Sequence, residues 1–306
     1  MAQFQRFSYG NLYLCIPCAG VIAQLVVQGY RDQFDYAKYY VWRSSAKVPE
    51  DLIDSLDKEF ISLAERKNKK FRNSKFAVSL IDNLDARTYG SFLLSYGAEF
   101  QIPVISTYTS VKQFKESNSN LLDLVKELGI KGEIPTLDLP NEKLQRLILS
   151  DAAKSFILRR EITQAESVSH IIVPAAIGTA CFILGYPVLK IFALALGHWL
   201  AFAAVVALSS YTTYHLLQAE AKQRVLSLDR RVLEEDKTLV KGAKDYFKAR
   251  MAFCKLLNEL GDAEVKKNFD ENGNCTSQRA SYVERMKSVV EMELKEKPKS
   301  ANFRNL

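Results

Sequence analysis

Cys15-Ile16-Pro17-Cys18 places two thiols at CxxC spacing. Thiolates at that spacing can hold Cu(I) or take part in disulfide exchange. A thiolate inside an apolar helix is costly, however, and free cysteine also serves as an ordinary apolar residue. The three histidines, His170, His198 and His215, all lie in or beside the longest apolar region. They could form a proton relay or a metal site. The favoured reading is that His170 and His215 meet lipid headgroups while His198 bonds a neighbouring carbonyl. A third group, Arg159, Arg160, Glu161 and Glu166, stands just ahead of His170. It serves either to anchor a helix where it enters a membrane, with i,i+4 pairing, or to dock a partner. The sequence has no HExxH, no GxSxG, no Walker loop and no GxGxxG in a strand-to-helix context. No catalytic set emerges, so the expectation is a protein without enzymatic activity, cofactor or small-molecule substrate.

The elements that must position these residues are unusually segregated in composition. No Lys, Arg, Asp or Glu occurs in the 22 residues from Val168 to Leu189 or in the 29 from Ile191 to Ala219, and Lys190 alone interrupts them. A helix rises about 1.5 Å per residue, so about 20 residues cross a hydrocarbon core. Val168–Tyr186 and Phe192–Tyr214 meet that length, and Gly185-Tyr186-Pro187 reads as the helix stop between them. On the second helix Ala193, Gly197 and Ala201 recur every four residues, and on the first Ala176 and Ala180 do the same. Small residues at that spacing let helices approach closely in lipid, which makes Ala193, Gly197 and Ala201 candidates for holding a partner span. A third apolar stretch, free of charge from Phe7 to Tyr30, reads as an uncleaved N-terminal span. The absence of acidic residues from all three stretches disfavours a transporter.

Outside these stretches the chain is polar. Residues 31–167 hold 21 basic and 20 acidic residues, and residues 220–306 hold 19 and 15. The net +7 is therefore spread thinly. The densest basic run, Arg66-Lys67-Asn68-Lys69-Lys70-Phe71-Arg72, reads as a solvated helix end, and no nucleic-acid partner is expected. Five scattered cysteines imply no disulfide framework. Leu52, Leu56, Phe60 and Leu63 mark an amphipathic helix over Asp51–Arg66. Strands are expected over Lys75–Ile81, Ser91–Tyr96 and Glu99–Ser106, punctuated by Gly90 and Gly97. From Asn141 a helix is expected to run straight into the hairpin. The second span should continue to Lys241, followed by helices over Asp245–Leu260, closed by Gly261, and Ser281–Glu296. Asn272-Gly273 signals a turn.

The expected fold class is a mainly α membrane protein. It has an N-terminal span (1–30), a small α+β polar region (31–140), an amphipathic helix leading in (141–167), a transmembrane helical hairpin (168–216) and a helical C-terminal region (217–306). Basic residues stay on the untranslocated side. Arg159 and Arg160 precede the hairpin, and Lys222, Arg224, Arg230 and Arg231 follow it. Both polar regions should therefore share one compartment. Asn274-Cys275-Thr276 has the glycosylation pattern, but on that side it is accidental.

Several short stretches resemble the transmembrane protein 177 family. They are Ala153-Lys154-Ser155-Phe156-Ile157-Leu158-Arg159-Arg160-Glu161-Ile162 with Glu166-Ser167, then Leu228-Asp229-Arg230-Arg231, Gly242-Ala243-Lys244-Asp245-Tyr246-Phe247 and Leu256-Leu257. Cys18-Ala19-Gly20, Ile102-Pro103 and the order of parts are similar too, whereas Cys15 lies outside the family's pattern. The resemblance implies a mitochondrial inner-membrane protein, multi-pass, with its polar regions facing the matrix. It also implies a scaffold role in cytochrome c oxidase assembly, through subunit II and its membrane chaperone. The expected partners are the membrane and those assembly proteins. The alternative is a membrane-bound redox or metal-handling enzyme using Cys15 and Cys18.

Overall fold

A computed structural model describes residues 9–29, 43–66 and 75–296. The basic run beyond Arg66, Lys67 to Arg72, and the boundary placed at residue 30 lie outside the described residues. The described chain forms two compact units. One gathers residues 9–29 and 167–224, and the other residues 43–66, 75–166 and 225–296.

The first unit contains α1 (Tyr9–Gly29), α6 (Ser169–Leu196) and the opening part of α7 (His198–Glu235). All three helices are long and apolar enough to cross a membrane. The hairpin turn is at Gly197, not at Gly185-Tyr186-Pro187. Gly197 has φ 79° and ψ 163°, a region open essentially to glycine alone. Pro187 sits inside α6, where a proline removes one backbone hydrogen bond, a loss that spanning helices commonly tolerate. The expected stripe therefore breaks. Ala193 lies in the last turn of α6, Ala201 in the first turn of α7, and Gly197 makes the turn between them.

The second unit has a sheet of three strands among the described residues: β1 (Phe76–Ile81), β2 (Arg87–Gly90) and β3 (Ala98–Pro103). β3 is central, parallel to β1 and antiparallel to β2. All of β3 is buried. Ser91–Tyr96, expected to be a strand, is instead the connection between β2 and β3. Its Phe, Leu and Tyr content imitates a strand, but only Phe92 turns into the core. One side of the unit is covered by α2 (Glu50–Arg66), which buries Leu52, Leu56, Phe60 and Leu63 at helical spacing. Glu50 and Asp51 in its first turn suit the positive end of the helix dipole.

The short helices α3 (Val111–Ser117) and α4 (Asn141–Gln145) lead to α5 (Asp151–Ala165). The helix expected from Asn141 straight into the hairpin is thus broken: α4 and α5 are separate, and α5 ends at Ala165, before α6 starts at Ser169. One break falls at Ser150, whose hydroxyl accepts from Ala153 N–H at 3.3 Å and caps α5. The end of α7 lies in this unit, followed by α8 (Leu239–Leu260), α9 (Ala263–Lys266) and α10 (Tyr282–Glu296). α5 packs most extensively against α8, and Gly242 makes that possible, because a Cβ there would collide with the Ala152 carbonyl. Gly261 closes α8, and Gly273, at φ 89°, forms the expected turn.

This second unit draws on chain from both sides of the hairpin. If the hairpin crosses a membrane, its two flanks must lie on the same side.

Candidate functional site

Two constellations hold these units together, one in each. In the hairpin unit the focus is Tyr13 on α1, fully buried, whose hydroxyl lies 2.7 Å from Ser209 Oγ on α7. A hydroxyl pair is the economical way to satisfy two polar groups among apolar helices. Gly185 on α6 faces both. A Cβ built there would fall 2.5 Å from Ser209 Oγ and onto Tyr13 Oη. The Tyr13 ring meets Phe182 at 5.3 Å and Phe202 at 6.3 Å. Leu189, Ala193, Ala201 and Val205 complete this core. Lower on the same helices, Gln24 Nε2 donates to the Ile171 carbonyl at 2.9 Å.

Ala193 and Ala201 thus pack inward, within the hairpin, and Gly197 at the turn has nothing within 4 Å of a built Cβ. The small residues that face outward are Ala176 and Ala180 on α6, beside exposed Ile172, Val173, Ile183 and Leu184. Cys15 and Cys18 are both exposed on α1. Among the described residues no group of three His, Cys, Asp or Glu side chains could hold a metal ion. His215 lies against Tyr211 and Tyr214, with centroids at 4.3 and 5.4 Å. His198 opens α7.

In the polar unit, the charged residues ahead of the hairpin form a clamp. Arg159 Nε and Nη2 donate to Glu59 Oε2 at 2.9 and 2.6 Å, and Nη2 reaches Ser62 Oγ at 3.1 Å. Arg160 pairs with Glu161 and with Asp229 Oδ1 at 2.8 Å. Glu166 pairs with Arg231 at 3.0 Å. Arg159, Arg160 and Glu166 are therefore buried, and their charged ends bond to other parts of the same chain. Arg160 and Glu166 stand where the chain leaves for the hairpin, and Asp229 and Arg231 where it returns. These pairs join the two flanks.

Asp229, 2% exposed, also accepts from Arg285 Nε at 2.7 Å and Nη2 at 3.1 Å, bringing in α10. Arg285 lies 4.6 Å over the Phe247 ring and reaches Asp85 at 3.3 Å. Tyr246 and Tyr282 donate their hydroxyls to the same Asp85 oxygen at 2.9 and 3.1 Å. Thr88 closes the circuit on Glu161 at 2.7 Å. Burial alone would lower the Arg285 guanidinium, but the carboxylates of Asp229 and Asp85 outweigh it and push it up. Burial would raise the Asp85 carboxyl, yet the Arg285 and Arg160 charges hold it below its ordinary value. Such a cluster, fully paired, fixes how elements meet; its chemistry is positioning.

Asp236 and Asp270 are likewise held low. Burial acts upward on each, and hydrogen bonds outweigh it, from Thr238 and Arg66 in one case and from Asn274 in the other. A carboxyl with a depressed folded-state pKa stabilises above its unfolded value and loses that contribution as pH falls through the folded one. The melting temperature should therefore hold steady from neutral pH to near the ordinary aspartate value of 3.8 and drop below it. Asp85→Asn should flatten that acid limb in a pH series of thermal scans, and an unchanged limb would remove Asp85 from the account.

Arg159, Arg160 and Glu166 are legible as a group in the sequence, whereas Asp229, Arg285 and Asp85, which belong to the same network, are not. A signal for Asp229 was present, since it shares one face of α7 with Leu228, Val232 and Leu233. An acid on a core-facing stripe calls for a buried cation.

Fold and clamp define a class: a mainly helical protein with, among the described residues, three apolar helices of membrane-spanning length, a small mixed sheet, and a polar unit assembled from both flanks of a helical hairpin. Compared with family models, curated proteins and solved structures, the chain matches none.

Proposed function

We propose that this chain is a non-enzymatic assembly factor of the mitochondrial inner membrane, supporting biogenesis of cytochrome c oxidase subunit II by stabilising that subunit's membrane chaperone. One observation carries the scaffold reading: the hairpin is inserted into a single polar unit whose two halves are pinned together by Arg160–Asp229 and Glu166–Arg231. That construction brings the two ends of the hairpin back to one body and leaves the outward faces of the spans for another membrane protein. The oxidase and the mitochondrion come from the family resemblance, carried by the stretches around Arg159-Arg160-Glu161 and Leu228-Asp229-Arg230-Arg231. The partner face is the outward side of α6, where Ala176 and Ala180 permit close approach. The basic residues at the hairpin's base support a matrix-facing polar unit.

In cells lacking the chain, pulse-labelled subunit II should decay faster than the other mitochondrially made subunits, and restoring the chain should reverse this. Equal decay with and without the chain would overturn the proposal.

A further inference from the structure

The connection between β2 and β3 displays two large exposed side chains. Leu93 is 67% and Tyr96 45% exposed, while Phe92 between β2 and Leu93 is buried, its ring 5.3 Å from Phe60 and 6.0 Å from Phe100. The loop is firmly built. Ser91 N–H donates to the Gly97 carbonyl at 3.1 Å, Leu94 N–H to Ser91 O at 3.0 Å and Gly97 N–H to Leu94 O at 3.0 Å. Gly97, at φ 73°, lies so close to Lys75 that a Cβ would strike the Lys75 carbonyl. Leu93 and Tyr96 are therefore held outward by a fixed backbone.

What the loop is bonded to decides its role. Phe92 N–H and Ser91 Oγ both donate to the Ala165 carbonyl, at 2.9 and 2.7 Å. Ala165 is the last residue of α5, and α6 begins at Ser169. These two bonds fix the loop to the chain four residues ahead of a helix long and apolar enough to cross a membrane. Leucine with tyrosine suits the boundary between headgroups and acyl chains, where an aromatic ring with a polar tip is favoured. Exposed Lys75, beside Gly97, adds a cation that favours anionic headgroups.

We propose that the Ser91–Gly97 loop is a membrane-interface anchor, with Leu93 and Tyr96 seated in the headgroup layer of a phospholipid bilayer. The proposal rests on the hairpin crossing that bilayer, and the test separates the two. Full-length protein is reconstituted into phosphatidylcholine–cardiolipin vesicles made with lipids brominated on their acyl chains. Both native tryptophans, Trp42 and Trp199, are replaced by Phe, and single tryptophans are introduced. Leu208→Trp, exposed on α7, reports on hairpin insertion. Tyr96→Trp and, independently, Leu93→Trp report on the loop. Leu294→Trp is the control. It adjoins Glu293, which pairs with Lys244, and Asp245 bonds Ser150 at 3.1 Å, at the opposite end of α5 from Ala165.

Both loop tryptophans should lose emission to brominated lipid and shift to the blue, while Leu294→Trp stays unquenched. Quenching at residue 208 with none at 93 and 96 overturns the anchor and leaves the hairpin reading in place, with a protein partner then the occupant of the loop. No quenching at residue 208 overturns both.

Discussion

Asp229→Ala should come close to unfolding the polar unit. Its carboxylate is the shared partner of Arg160 and Arg285, both nearly inaccessible to water. Removing one partner of a buried ion pair costs about 3–5 kcal/mol, because the remaining charge is left without compensation. Here two guanidiniums are left. A domain's whole stability is about 5–15 kcal/mol, so the variant should populate unfolded chain near physiological temperature. The measurement is denaturant unfolding of the detergent-solubilised protein, with limited proteolysis as a second readout. An exposed aspartate gives the contrast: Asp262 caps α9 by accepting from Glu264 and Val265 N–H, each at 3.0 Å. Its loss should cost only about 1 kcal/mol, the ordinary value of a helix cap. If both variants shift the midpoint equally, Asp229 is not the keystone of the clamp.

The hairpin unit has its own critical point. Gly185→Leu should drive α1 and α7 away from α6, because the new side chain occupies the space of the Tyr13 and Ser209 hydroxyls. Overpacking a tight core costs about 1–3 kcal/mol. The Tyr13–Ser209 bond breaks as well, leaving two hydroxyls to be satisfied among apolar side chains. Thermal scans in detergent should show a clear loss for Gly185→Leu and almost none for Gly20→Leu, since a Cβ at Gly20 meets nothing within 4 Å. Equal scans for the two variants would mean the three helices do not meet at Gly185.

The three apolar helices were legible in the sequence because an uncharged run of such length is incompatible with most other structures. The site of the turn was not. Gly185 and Pro187 look like a stop by the rules of water-exposed helices, yet an apolar helix uses the glycine for close packing and carries the proline through. The charge-free stretch also gave no cue to Gly197, whose role depends on a backbone conformation and not on hydropathy. In the polar unit α2, β1 and the closing turns around Gly261 and Gly273 follow local patterns and were read from them. Ser91–Tyr96 is not a strand, because a run rich in Phe, Leu and Tyr can mark a displayed surface as well as a buried one. The clamp was only half legible. Its members come from residues 59, 160, 229 and 285, and pairing across such separations leaves no trace in local spacing.

Both flanks of the hairpin fold into one body, which we propose lies on the matrix side of a membrane that the hairpin crosses. Epitope tags placed at exposed Asp138 and at the C-terminus test it directly, in mitochondria whose outer membrane has been ruptured and which are then exposed to protease. The account predicts that both tags survive together and are digested together once the inner membrane is opened. Digestion of one tag without the other would contradict the single body, and digestion of both in ruptured mitochondria would contradict the matrix orientation.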